Sequence, residues 1–190
     1  MTQVSIIGSG SMGQAIASVV TQGGNTVQIL GHGDTDALTG DIVVLAVPYP
    51  AVADVLATRG DQLAGKVVID ITNPLNFETF DSLTVAADGS ATAEIATALP
   101  QSRVVKAFNT TFAATLTAGT VGEATTTVLI AGDDADAKAL VSDVVTAAGL
   151  RAIDAGSLRR ARELESLGFL QITLAAGEKV AWTGGFAVVS

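Results

Sequence analysis

The stretch Val4-Ser5-Ile6-Ile7-Gly8-Ser9-Gly10-Ser11-Met12-Gly13-Gln14-Ala15-Ile16-Ala17 decides the fold. A β-branched run enters a G-x-G-x-x-G turn, and the turn opens into a helix of small and apolar residues. Each glycine has its own task in that setting. Gly8 permits the tight turn, Gly10 lets the backbone approach a pyrophosphate, and Gly13 lets helix and strand pack closely. The free amides at the helix start face the anion. Gly8, Ser9, Gly10, Ser11, Met12 and Gly13 are therefore the expected cradle of a dinucleotide.

Outward from that turn, short β-branched runs alternate with helix-compatible stretches. The runs are Val4 to Ile7, Thr26 to Leu30, Ile42 to Val47, Val67 to Ile71, Arg103 to Lys106, Thr126 to Ala131 and Leu150 to Ile153. Most are continuously apolar, as strands buried on both faces are. The pattern predicts a doubly wound α/β fold of Rossmann type, with a mostly parallel sheet and right-handed crossovers.

At 190 residues, 48% of them apolar and 15% charged, the chain predicts one domain over 1–190 with a single buried core. A net charge of −9 repels phosphate backbones and anionic membranes, so nucleic acid is not an expected partner. There is no Cys and one His, His32, which rules out disulfides, thiolate nucleophiles and multi-histidine metal sites. No apolar run approaches the ~20 residues that span a bilayer, so a soluble cytoplasmic protein without a membrane partner is expected.

Two connections stand out. Between the second and third runs lie only about ten residues, Gly31 to Gly40, close to the ~10 to 12 of a minimal crossover. The usual second helix is expected to be one turn or absent, leaving the adenine side open. Between Ile71 and a helix predicted over Ser90 to Leu99 sits a long loop, NPLNFETFDSLTVAADGS, of the kind that often carries function. A final helix is predicted from Ser157 to about Ala176, with an apolar stripe of Leu158, Ala161, Leu164, Leu167 and Phe169. Its first turns hold Arg159, Arg160 and Arg162, followed by Glu163 and Glu165. They read as a solvated, internally paired face, the alternative being an anion-contacting patch.

The second strand ends at Leu30, where an NAD enzyme normally carries a carboxylate for the ribose diol. Asp34 stands 21 residues past Gly13 but beyond the strand end, and no Arg for a 2′-phosphate is evident nearby. His32 and the amides of Gly31, Gly33 and Asp34 remain as donors, so on these residues NAD and NADP stand level. The third, fourth and fifth strands end in Ala46-Val47-Pro48-Tyr49-Pro50, Thr72-Asn73-Pro74-Leu75 and Ala107-Phe108-Asn109-Thr110. These are the carboxyl ends at which open α/β sheets bind ligands. They offer no ordinary proton donor except Lys106, which is as easily a structural partner of Asp70. The only Tyr, Tyr49, lacks the companion Lys of short-chain dehydrogenases. Such an uncharged cleft suits hydride transfer between two rings that the protein only stacks and orients, and no catalytic side chain is assigned.

GSGSMGQAIA, the strand ending AVPY, ITNPL, VVKAFNT, VLIAGDD, DAG and LRRARELESLGFLQITLA resemble, in order, the NADPH:deazaflavin-coenzyme oxidoreductase family. The cytoplasmic domain of the STEAP-type metalloreductases shares the pattern. The resemblance implies an NAD(P)-dependent reductase that favours NADP(H) over NAD(H) and passes hydride to a small-molecule acceptor, a deazaflavin coenzyme or flavin. It implies a homodimer, and a C-terminal helix and tail over 157–190 that complete the acceptor site or the dimer contact. Gly31, His32, Gly33 and Asp34 would hold the 2′-phosphate. Ala46, Val47, Pro48, Asn73, Pro74, Leu75, Phe108 and Asn109 would surround the nicotinamide and the acceptor. The family usually offers Ser and Arg after the glycine of the second strand, where this chain has His32 and Gly33. The alternatives are a reductase of small quinones or carbonyls and a non-catalytic dinucleotide-sensing module.

Overall fold

A strand that is apolar at every position can stay in place only if both faces of its sheet are covered, and the computed structural model, which describes residues 1–189, has that arrangement. The elements in chain order are β1 (Gln3–Ile7), α1 (Ser11–Gln22), β2 (Thr26–Leu30), β3 (Ile42–Leu45), α2 (Tyr49–Leu63), β4 (Val67–Asp70), α3 (Ala91–Ala98) and β5 (Arg103–Lys106). They continue with α4 (Ala113–Ala118), β6 (Thr120–Val121), β7 (Ala124–Thr125), β8 (Thr127–Gly132), α5 (Ala135–Ala147), β9 (Arg151–Gly156), a 3-10 turn (Leu158–Arg160) and α6 (Ala161–Ala176).

Seven strands form one sheet in the order β2-β1-β3-β4-β5-β8-β9. Pairing is parallel from β2 through β5 and again between β8 and β9; the β5–β8 pair is antiparallel and only two residues long. All seven predicted runs are strands of this sheet. The third and fourth stop at Leu45 and Asp70, two residues and one residue short of the apolar runs that announced them. The β6–β7 hairpin, two residues a side about a turn at Gly122 and Glu123, was not among the expected elements.

Alternate residues of one strand feed two different cores. Val4, Ile6, Ile42, Val44, Val67 and Ile69 pack with α1, α4 and α5, whereas Ile7, Val43, Leu45 and Val68 pack with α2 and α3. The two-residue period of the strand thus converts a continuous apolar run into two hydrophobic layers. Ser90 caps α3 by accepting from the Ala93 amide, and Asp134 caps α5 by accepting from Ala137 at 2.7 Å.

No helix lies between β2 and β3, as the ten-residue spacing predicts. Polar side chains hold the connection instead. Ser5 Oγ donates to Gln28 Oε1 at 2.6 Å and accepts from the Gly40 amide at 2.9 Å. Gln28 Nε2 donates to the Ala37 carbonyl, Gln62 Oε1 accepts from Leu38, and Lys66 Nζ donates to the Gly40 carbonyl at 2.6 Å. Among the described residues no helix is long and apolar enough to cross a membrane.

Candidate functional site

The chain runs from β1 to β2 on one side and reaches β3 on the other, so the sheet reverses its winding between β1 and β3. Ligands of open α/β sheets bind at such a point. Here Gly8 follows β1 with φ +121°, its amide donates to the Leu30 carbonyl at 2.8 Å, and the Ala46 amide donates to Ile7 at 2.8 Å. A Cβ on Gly8 would stand 2.1 Å from the Ala46 carbonyl oxygen, and one on Gly13 would stand 2.0 Å from that of Gly8. Gly10 differs from both. It caps α1 with φ −73°, and a Cβ there meets nothing within 4 Å. Gly8 and Gly13 are therefore required by the fold itself, whereas Gly10 borders open space. The first turn of α1 has no side-chain cap, so its amides are available to an anion.

That space is a groove of about 690 Å³. It brings together Gly8, Ser9, Gly10, Gly31, His32, Gly33, Asp34, Ala46, Val47 and Pro48 of the expected residues. Ser11, Met12 and Gly13 form the helix start at its floor without lining it, and the half-buried Met12 packs against the core. One face of α2, Ala51, Asp54, Val55, Thr58, Arg59 and Gln62, makes the opposite wall. The spacing of three and four residues along that face was present in the sequence; what hid it was its mixed polarity, which is not an apolar stripe. Arg59 corrects the expectation that no arginine stands near the end of the second strand. Its guanidinium donates to the carbonyls of Asp34 and Asp36, the latter at 2.7 Å.

The other strand ends are not on this groove. Phe108, at φ +63°, is 2% exposed with its ring in the core beside Ile16 and Val141. It is not a cleft wall, because the left-handed turn sends its side chain inward. Leu75 and Pro74 are buried, Leu75 bridging to Leu83 inside the long loop. Asn73 and Asn109 bond each other: Asn73 Nδ2 donates to the Asn109 carbonyl and Asn109 Nδ2 to Asn73 Oδ1, both at 2.9 Å. Asn109 Nδ2 also donates to the Leu164 carbonyl of α6 at 2.8 Å. Gly168 lies directly on the pair, a Cβ there falling 2.2 Å from Asn73 Oδ1. The two amides thus seat α6 on the carboxyl edge of the sheet.

The same helix corrects the reading of its own charges. Glu165, expected on a solvated face, is 1% exposed and accepts from Lys106 Nζ at 3.0 Å, from the Ala91 amide at 2.9 Å and from Thr92. Lys106, fully buried, also donates to Asp70 at 2.9 Å and to the Thr72 carbonyl at 2.5 Å. Lys106 is a structural partner of Asp70, with Glu165 as the third member that the sequence reading missed. The inward face of α6 runs Ala161, Leu164, Glu165, Gly168, Gln171 and Ala175, while Leu167 and Phe169 are half-buried beside it. Arg160 and Arg162 do pair with Glu163 on the solvent side, and none of the three arginines lines the groove. Tyr49, at the start of α2, donates its hydroxyl to Glu94. Burial first, then that bond and the nearby charges of Glu94, Glu165 and Asp70, push the phenol well above its ordinary value.

A family model described as NADP oxidoreductase, coenzyme F420-dependent, matches residues 31–74, which hold the connection after β2, the α2 wall and the β4 end. The F420-dependent NADP reductase of Methanocaldococcus jannaschii is 32% identical over 171 residues, 87% of this chain and 76% of that protein. The metalloreductase STEAP3 of Rattus norvegicus is 29% identical over 181 residues; the chain spans 36% of its length. A solved structure from Arthrobacter sp. FB24 superposes over the whole of both chains with TM-score 0.86 at 24% identity, a likeness of fold. With the glycine turn at the switch point and this identity over most of an archaeal reductase, the chain belongs to the F420-dependent NADP reductase family and is an NADP-dependent oxidoreductase.

Proposed function

We propose that the groove holds NADP(H), with the pyrophosphate on the turn Gly8 to Gly13 and the adenosine end over Gly31, His32, Gly33 and Asp34. The nicotinamide then lies against Ala46, Val47 and Pro48, and hydride passes between it and a deazaflavin or flavin-like ring. One observation carries the choice of acceptor. The titratable groove residues, His32, Asp34, Asp54 and Arg59, come from the β2 connection and from α2, while the β3 end carries none. The two candidates nearest that end are committed elsewhere, Lys106 to a buried centre and Tyr49 to Glu94. Reduction of a carbonyl leaves an alkoxide whose oxygen needs a proton from a carrier in the site; transfer between two rings leaves charge spread over the accepting ring, which water can protonate, and needs chiefly positioning.

NADPH oxidation is expected with an F420-type deazaflavin or with free flavins, and not with simple aldehydes. Robust aldehyde turnover without response to either ring class overturns the reading, and binding without turnover on any acceptor favours a sensing module. NADPH is expected to bind more tightly than NADH. The acceptor side is completed by the segment 157–190, whose last residue lies outside the described residues. There Leu170, Trp182 and Phe186 are exposed apolar side chains, with Phe77 in the long loop another; Trp182 is also packed 4.9 Å from Phe112 between ring centres. A second copy of the chain covering these side chains is the proposed homodimer. Sedimentation equilibrium at micromolar concentration should return twice the 19.1 kDa chain mass, and a monomer at that concentration overturns it.

A further inference from the structure

Past β2 the chain makes a tight turn over Gly31-His32-Gly33-Asp34. The Asp34 amide donates to the Gly31 carbonyl at 3.3 Å, and Gly33 takes φ +88°, a region that glycine enters without strain. This turn carries Asp34 back to the strand end that its position in the sequence seemed to miss. Its Oδ2 accepts from the Gly31 amide at 2.7 Å. A Cβ built on Gly31 would stand 3.6 Å from that carboxylate oxygen and 3.4 Å from Ser9 Oγ, so the carboxylate lies beside the glycine turn. Arg59 meets the same loop from α2. It bonds two backbone carbonyls and forms no ion pair among the described residues, although the loop it grips is acidic.

We propose that Asp34 and Arg59 together read the 2′ substituent of the adenosine ribose: Arg59 is the cation for a 2′-phosphate, and Asp34 is an internal competitor holding the amide that the phosphate would take. The inference rests on the reading that the groove takes the adenosine end of the cofactor. The physical case is one of charge and of a shared donor. A guanidinium anchored by two carbonyls keeps its full charge and loses little freedom on meeting an anion. A phosphate reaching the Gly31 amide has to displace a carboxylate of its own sign, whereas a ribose hydroxyl can donate to that carboxylate where it stands. Asp34 therefore favours the cofactor without the phosphate and Arg59 the one with it, and the pair sets a modest preference from two opposed contributions.

Calorimetric titration with NADPH, NADH, adenosine 2′,5′-bisphosphate and 5′-AMP tests this on the whole chain, without any acceptor. Asp34→Asn should raise affinity for NADPH and the bisphosphate by about tenfold, with no gain for NADH or 5′-AMP. Arg59→Ala should lower NADPH and bisphosphate affinity by about tenfold and leave NADH within about twofold, and Arg59→Lys should retain most of the preference. If either Asp34→Asn or Arg59→Ala shifts all four ligands equally, or leaves the NADPH to NADH ratio unchanged, the two residues only staple the loop and the inference is overturned. If the wild type binds none of the four, the reading of the groove fails and this inference with it, a result distinct from binding with unchanged ratios.

Discussion

Three glycines share one turn and differ in what a side chain would strike. At Gly8 and Gly13 it strikes backbone carbonyls at 2.1 and 2.0 Å; at Gly10 it strikes nothing within 4 Å. Gly10→Val should therefore fold with close to wild-type stability and lose dinucleotide binding by more than about a hundredfold, because its methyl groups take the place of the pyrophosphate. Circular dichroism with calorimetry checks both halves; an unchanged affinity in the folded variant would remove the assignment of the turn. Tyr49 allows a second test because it is the only tyrosine. Its phenol ionises above its ordinary value of 10.0, with burial the main cause and the Glu94 bond next. The sign follows: the stabilisation is complete below pH 10 and is lost as the pH rises through the higher folded value. Absorbance titration should show tyrosinate forming only above that point or together with alkaline unfolding, and Tyr49→Phe should flatten the loss. The glycines were legible in the sequence because their spacing carries the geometry. Arg59 and Glu165 were not, because each acts on residues that only the folded chain brings near.

Among elements, the connection from β2 to β3 shows what polar side chains can do in place of a helix. Ser5, fully buried within β1, and Gln28 on β2 together bond Ala37, Thr39 and Gly40. Ser5→Ala leaves the Gly40 amide without its acceptor and should cost about 1–3 kcal/mol. Hydrogen exchange should rise first at residues 38–40, and uniform acceleration over the whole sheet would argue against a local pin. At α6, Gly168→Ala pushes a methyl into the Asn73–Asn109 pair and should cost about 1–3 kcal/mol in urea unfolding by forcing the helix off its seat. The missing helix was visible in the sequence as a simple count of residues. The facing of α6 was visible only in part. Its inward face holds the expected Ala161 and Leu164 but runs on through Glu165, Gly168 and Gln171, where the apolar pattern points to Leu167 and Phe169 instead. Strand ends departed both ways: β3 and β4 stop before Val47 and Ile71, which are apolar for packing beyond the last ladder bond, while β8 and β9 run on past their apolar runs to Gly132 and Gly156.

For the whole molecule, the buried centre of Lys106, Asp70 and Glu165 joins β4, β5, the start of α3 and α6. Lys106→Met leaves two carboxylates with no cation between them and should destabilise by about 3–5 kcal/mol, against a smaller loss for Glu165→Gln, which keeps hydrogen-bonding capacity. Urea midpoints of the two variants decide the order, and equal losses would show that charge balance is not what the lysine supplies. The ion pair also fixes a schedule for synthesis. Glu165 follows Lys106 by 59 residues, several seconds of translation at the usual ~5–20 residues per second. Throughout that interval the ends of β4 and β5 and the first amides of α3 lack the carboxylate that closes them. A nascent chain halted between the two residues should therefore be open to protease at the α3 end, and one released beyond α6 should be protected.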